Sequence, residues 1–150
     1  MRACREETAV HAPEGSAGRE ATTAERRAWI EDGFFVRRGA FTAAEVRALA
    51  AAAEAGARAA VAACGAGRTY FLDGRRFVDL DAVTVQFEQA PEPGAVKVIE
   101  PVHGFDARLA ELIDDPRLTR PIRSLLGTET LSLWTDKLNL KRPGIGSGFG

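Results

Sequence analysis

The Asp73-Gly74 pair between Thr69-Tyr70-Phe71-Leu72 and Arg75-Arg76-Phe77-Val78 constrains the fold of this chain more than any other feature. Asp-Gly between runs rich in β-branched and aromatic residues sets a tight hairpin, because glycine tolerates φ > 0 in the turn. An antiparallel sheet is therefore expected. The segment before it has the opposite character. Thr42-Ala43-Ala44-Glu45 has capping-box spacing and opens a long alanine-rich run that ends near Cys64-Gly65. Val46, Leu49, Ala50, Ala53 and Ala57 mark one face at i, i+3, i+4 spacing. Alanines favour a helix but bury little area each, so this helix is expected to lie across a larger surface.

The rest of the chain extends the same plan. A first capping box, Thr22-Thr23-Ala24-Glu25, opens a short helix through Trp29 and Ile30 that stops at Gly33. Phe34-Phe35-Val36-Arg37-Arg38 then reads as a strand. Further strands are expected at Val83–Phe87 and Val96–Ile99, separated by Pro91, Pro93 and Gly94. Two short helices follow over 105–113 and 116–126, the second stopping at Gly127, and a last strand runs from about Thr130 to Lys141. Residues 1–22 lack periodicity and read as a mobile tail, leaving 23–150 as the folded region. The order is α+β, with helices grouped ahead of a sheet that has only begun.

Composition narrows the function. Twenty Lys+Arg against 21 Asp+Glu give a formal charge of −1, which offers no basic excess for nucleic acid or an anionic membrane. The most apolar stretch, Phe41 to Cys64, is interrupted by Glu45, Arg47, Glu54 and Arg58 and cannot span a bilayer. No targeting segment is visible, and a cytoplasmic protein is expected. Cys4 and Cys64 have no C-x-x-C spacing, and His11 and His103 are the two histidines, so neither a zinc site nor a histidine cluster is expected. His103 reads as a loop or packing residue, and Glu111, Asp114 and Asp115 as helix-end solvation.

The last strand carries the most chemistry. Thr135, Lys137, Asn139 and Lys141 share one face by alternation, while Trp134, Asp136, Leu138 and Leu140 share the other. Leu131 and Leu133 fall on the polar parity, which predicts a bulge or burial on both faces. A row of Lys, Asn and Lys suits either a polar cavity holding a small carboxylate or a solvated strand face. Lys97, within Val96-Lys97-Val98-Ile99, reads either as an outward edge lysine or as a ligand-binding group. The run Gly144-Ile145-Gly146-Ser147-Gly148-Phe149-Gly150 lacks the Gly-Lys-Ser/Thr ending of a phosphate loop and reads as a turn.

Three segments resemble one family. Asp32-Gly33-Phe34-Phe35-Val36-Arg37-Arg38-Gly39-Ala40-Phe41-Thr42 is similar to the opening of the phytanoyl-CoA dioxygenase family. Val83-Thr84-Val85-Gln86-Phe87-Glu88 and Trp134-Thr135-Asp136-Lys137-Leu138-Asn139-Leu140-Lys141-Arg142-Pro143-Gly144 resemble its bacterial branch. The resemblance spans about residues 29 to 150 and implies a double-stranded β-helix (a jelly roll) preceded by helices. It also implies an Fe(II)- and 2-oxoglutarate-dependent dioxygenase that hydroxylates a small-molecule or acyl substrate, its iron held by His-x-Asp and a distant second His. Through the resemblance, Lys137, Lys97 and Asn139 are candidates for the 2-oxoglutarate pocket.

The chain departs from that pattern in one large respect. In the family a His-x-Asp follows the Gly-rich loop, whereas here the sequence stops at Gly150. Neither His11 nor His103 has a carboxylate two residues on. The expectation is an N-terminal portion of an oxygenase, without metal ligands or catalytic residues of its own and inactive alone. The alternative is a non-catalytic binding or interaction module, or a decayed gene product, that self-associates through unpaired strand edges.

Overall fold

The structure is a computed structural model that describes residues 20–89, 92–141 and 143–144. It is α+β, with three helices of ten or more residues and an open five-stranded antiparallel sheet among the described residues. The chain divides into two compact units. A helical unit takes the residues up to Ala43 together with Asp114–Leu131, and a sheet unit takes Ala44–Ile113 with Ser132–Gly150.

The helical unit holds α1 (Thr23–Asp32) and α4 (Pro116–Leu126). Helix α1 starts as its sequence requires: the Thr22 hydroxyl accepts from Glu25 N–H at 3.2 Å, and Glu25 Oε2 accepts from Thr22 N–H at 2.8 Å. It stops at Gly33, whose φ of 80° is left-handed. Asp115 caps α4, Pro116 fills the first turn and Gly127 at φ 65° ends it. Polar contacts tie these helices down. Ser124 Oγ accepts from Ala21 N–H at 3.1 Å, and Arg117 lies over the Phe41 ring at 4.1 Å while chelating Asp115. Its buried residues are Ala21, Glu25, Thr119 and Pro121, whereas Ile30, Phe34, Ile122 and Leu126 are exposed.

In the sheet unit, α2 (Ala43–Ala63) ends in a 3-10 turn at Cys64–Ala66 and leads into β1 (Arg68–Leu72). Strands β2 (Arg75–Leu80), β3 (Val83–Phe87), β4 (Val96–Glu100) and β5 (Leu138–Asn139) follow in spatial order, each antiparallel to its neighbour. Asp73 at φ 50° and Gly74 at φ 72° form the expected two-residue turn. Between β4 and β5, the five-residue α3 (Ala107–Glu111) lies between 3-10 turns at His103–Phe105 and Leu112–Asp114.

The two sheet faces separate by parity. Val78, Val85, Ile99 and Leu138 stand opposite one another across β2 to β5 and belong to one apolar cluster with Ala57 and Ala60 of α2. The next positions carry Asp79, Thr84 and Glu100, likewise in register, on the other face. Gly67 lets the chain enter β1: a Cβ there would lie 2.5 Å from Val78 Cγ1 and 2.7 Å from the Asp79 carbonyl oxygen.

Several expectations need correction. Residues 34–38 form no strand; they run from left-handed Gly33 to left-handed Gly39 with no ladder partner, and Arg37 turns back to α1. The last strand is only Leu138–Asn139, not Thr130–Lys141, because only Val98 and Ile99 pair with it. The bulge falls in β4 rather than in that strand. Phe87 opposes Val96 while Gln86 opposes Val98, so Lys97 is the extra residue. The buried stripe of α2 is Ala52, Gly56, Ala57 and Ala60, and Val46 and Ala50 are exposed. Small residues win that face because they admit close approach: a Cβ on Gly56 would meet Phe105 Cβ at 3.4 Å. The helix expected over 105–113 is α-helical only at α3. Thr22 caps α1 as its spacing requires, and Ala21 N–H beside it donates to Ser124 Oγ, while residues 1–19 with Cys4 and His11 lie outside the described residues. So do Pro91, Arg142 and most of the glycine-rich run, 145–150.

Candidate functional site

The polar face of the sheet is a continuous row. Arg68 Nη2 donates to Asp79 Oδ2 at 2.8 Å, and Thr84 Oγ1 donates to Asp79 Oδ1 at 2.9 Å. Thr84 stands opposite Glu100, whose carboxylate accepts from Thr135 Oγ1 at 2.5 Å and pairs with Lys137 Nζ at 2.8 Å. Asp79 and Glu100 thus each lie beside a cation, which is the stabilising arrangement for neighbouring strands. Hydrogen bonds from Arg68 and then Thr84 hold the Asp79 carboxyl below its usual range. Lys137 and then Thr135 do the same for Glu100. Beside this row lies a second, Tyr70, Phe77, Gln86, Val98 and Asn139, in which the Tyr70 and Phe77 rings stack at 5.3 Å.

Lys137 and Asn139 are thus placed on one face, as alternation predicts. Lys137 is half-exposed and turned toward Glu100, and Asn139 stands opposite Val98. Lys97 is elsewhere in character: it is the bulge residue, it is 2% exposed, and its carbonyl accepts from Leu140 N–H at 2.9 Å. The edge-lysine reading of Lys97 fails on that burial.

The structure adds a pairing that sequence reasoning missed. Asp136 Oδ2 accepts the backbone N–H groups of Val102 at 2.9 Å and His103 at 2.8 Å, and Oδ1 meets His103 Nδ1 at 2.7 Å. An ionised carboxylate only accepts, so Nδ1 carries the proton and further proton chemistry of this ring falls on Nε2. Burial pushes the Asp136 carboxyl up, but the His103 ring and the two backbone amides outweigh it and leave the group below its usual range. A signal existed: Asp136 shares the parity of Leu138 and Leu140, and a carboxylate on an apolar parity demands partners.

Asp136→Ala strands two backbone donors and is expected to cost about 2 kcal/mol in urea unfolding. Asp136→Asn, which still offers one oxygen, recovers part of that loss. Hydrogen exchange provides a separate check: the Val102 and His103 amides should lose protection in the alanine variant, and unchanged protection would refute the clamp.

The resemblance implies iron and 2-oxoglutarate, and the residues present answer differently for each. Among the described residues no three His, Cys, Asp or Glu side chains are grouped to hold a metal ion. The His103–Asp136 pair has both carboxylate oxygens engaged by hydrogen bonds. These residues do not fit an iron centre. A carboxylate ligand fits better, with Lys137 as cation and Asn139 as amide on the same face, although Glu100 already occupies the lysine. Among the described residues no helix is long and apolar enough to cross a membrane. Compared with family models, curated proteins and solved structures, the chain matches none.

Proposed function

We propose that the chain is the helix-and-sheet portion of a jelly-roll fold of the Fe(II)- and 2-oxoglutarate-dependent dioxygenase type, and that it contributes carboxylate binding rather than metal binding. One observation carries this reading: the sheet buries one face against α2 and presents on the other a polar row ending in Lys137. The Trp134 to Gly144 segment, the longest run of the family resemblance, supplies Lys137 and Asn139 to that face. A small dicarboxylate would take Lys137 from Glu100, exchanging one charge-assisted contact for another. Because the gain is a difference between two ion pairs, binding should be weak and salt-sensitive.

Calorimetric titration of the purified chain with 2-oxoglutarate tests this. Lys137→Ala should abolish the heat, and Glu100→Gln should strengthen binding by about threefold to tenfold, since the competing carboxylate is gone. Binding that survives Lys137→Ala unchanged would place the ligand elsewhere. With added Fe(II) the isolated chain should release no succinate; release would overturn the assignment of binding without turnover.

A second reading, an interaction module, is favoured by the β1 edge. Its one ladder partner among the described residues is β2, and its Phe71 and Leu72 side chains are exposed. Light scattering distinguishes the two readings: a monomer that binds 2-oxoglutarate supports the first, and a defined oligomer that does not supports the second.

A further inference from the structure

Strand β1 is one edge of the sheet, and its ladder fixes which of its backbone groups face outward. It pairs with β2 without a break, from Arg68 opposite Asp79 to Leu72 opposite Arg75. The two-residue turn at Asp73-Gly74 is closed by Leu72 and Arg75 as a hydrogen-bonded pair, and bonded pairs alternate with non-bonded ones along an antiparallel ladder. Arg68 and Tyr70 therefore bond to β2, while Thr69 and Phe71 turn their N–H and C=O groups to the open side. Those groups have no hydrogen-bond partner among the described residues.

Proteins guard such an edge with prolines, bulges or charges. Strand β1 has no proline and no bulge, and its one charge, Arg68, is tied to Asp79 of its own chain at 2.8 Å. Phe71 and Leu72 are 70% and 57% exposed.

The strand is also complementary to itself. A two-fold axis through Tyr70 sets Thr69 opposite Phe71 of a second copy, and Phe71 opposite its Thr69. These are the two residues with outward groups, so each pair exchanges both N–H···O bonds. The two Tyr70 side chains become a closely spaced non-bonded pair and lengthen the Tyr70–Phe77 stack, an aromatic pairing that stabilises neighbouring strands. Arg68 falls opposite Leu72, so no like charges meet.

We propose that two copies of this chain pair β1 against β1, antiparallel about Tyr70, joining their five-stranded sheets into one. The proposal rests on the interaction reading of the β1 edge, to which it adds the partner and the register. Strands β1 and β5 are opposite edges, so the pairing is remote from Asn139.

Sedimentation velocity of the full chain over a concentration series tests this. Wild type should shift from monomer toward dimer as concentration rises. Thr69→Pro removes an outward N–H from each copy without touching the β2 ladder, and should weaken dimerisation about tenfold or more. Tyr70→Lys and Tyr70→Glu each set like charges opposite one another and should be monomeric. Their equimolar mixture should dimerise, a rescue that misfolding could not produce. A mixture that stays monomeric overturns the register. A wild-type oligomer that persists in Thr69→Pro and in both Tyr70 variants overturns the pairing but leaves the interaction reading in place. A wild-type monomer at every concentration overturns both, and protection of its Thr69 and Phe71 amides from hydrogen exchange would assign the edge to the chain itself.

Discussion

Glu25→Gln should destabilise the helical unit by about 3 kcal/mol or more and flatten its response to acid, the largest single effect expected in that unit. Arg37 Nε and Nη2 hold the two Glu25 oxygens at 2.8 and 2.7 Å, and both side chains are under 10% exposed, at 7% for arginine and 9% for glutamate. Glutamine still serves the α1 capping box, so the substitution spares the cap and removes the ion pair. It removes the carboxylate charge that Arg37 chelates with two hydrogen bonds, which is the costly outcome. The Arg37 hydrogen bonds, set against the burial that opposes them, bring the Glu25 pKa from 4.5 down to about 2. A carboxyl whose pKa is depressed on folding stabilises the fold above its unfolded value and loses that contribution as pH falls through the folded value. The gap from 4.5 to about 2 corresponds to roughly 3 kcal/mol, fully present above about pH 5 and fading toward pH 2. Trp29 lies on α1 and Trp134 outside this unit, so a Trp134→Phe background makes fluorescence report the helical unit. An unfolding midpoint that falls equally with acid in wild type and Glu25→Gln would remove Glu25 as the source.

How much of this was legible in the sequence follows from the range of the interactions. The hairpin at Asp73-Gly74, the Thr22–Glu25 cap and the stops at Gly33 and Gly127 each depend on a few adjacent residues, and each is found where the sequence puts it. Strand β3 also matches its expected bounds, since its composition is met by a ladder partner on each side, β2 and β4. What failed depends on distant partners. Phe34–Arg38 has strand composition, but a strand needs a neighbour, and Arg37 is instead claimed by Glu25 twelve positions earlier. On α2 only Ala57 of the expected face is buried, because hydrophobicity favours Val46 and Leu49, whereas close approach selects small residues: Ala57 and Ala60 in the cluster with the strands, and Gly56 against Phe105. At the candidate site, alternation placed Lys137 and Asn139 on one face. It could not place Glu100 beside Lys137 or His103 beside Asp136, pairings that span 37 and 33 positions.

Ile99→Ala is the complementary experiment in the sheet unit, with an expected loss of about 4 kcal/mol. Ile99 is fully buried at 0% exposure, in a cross-strand row with Val85 on one side and Leu138 on the other. Removing three carbons leaves a cavity, and the cost depends on how far the surroundings can collapse into it. Here they have little room to move. The helix packed against that row presents Ala57 and Ala60, already at 4% and 0% exposure, with no longer side chain to swing inward. Ile99→Val, which removes one carbon, should cost about 1 kcal/mol. Urea denaturation of the two variants measures the ratio, and nearly equal small losses would show that α2 can settle onto the sheet. The outcome also bears on the polar face. Glu100 is the next residue of the same strand, pointing away from the core toward Lys137, so its position is set by how firmly Ile99 anchors β4. Ile99→Val should therefore retain the 2-oxoglutarate heat proposed for Lys137, whereas Ile99→Ala should weaken it before the sheet unit unfolds. A ligand held by Lys137 independently of β4 would be indifferent to both.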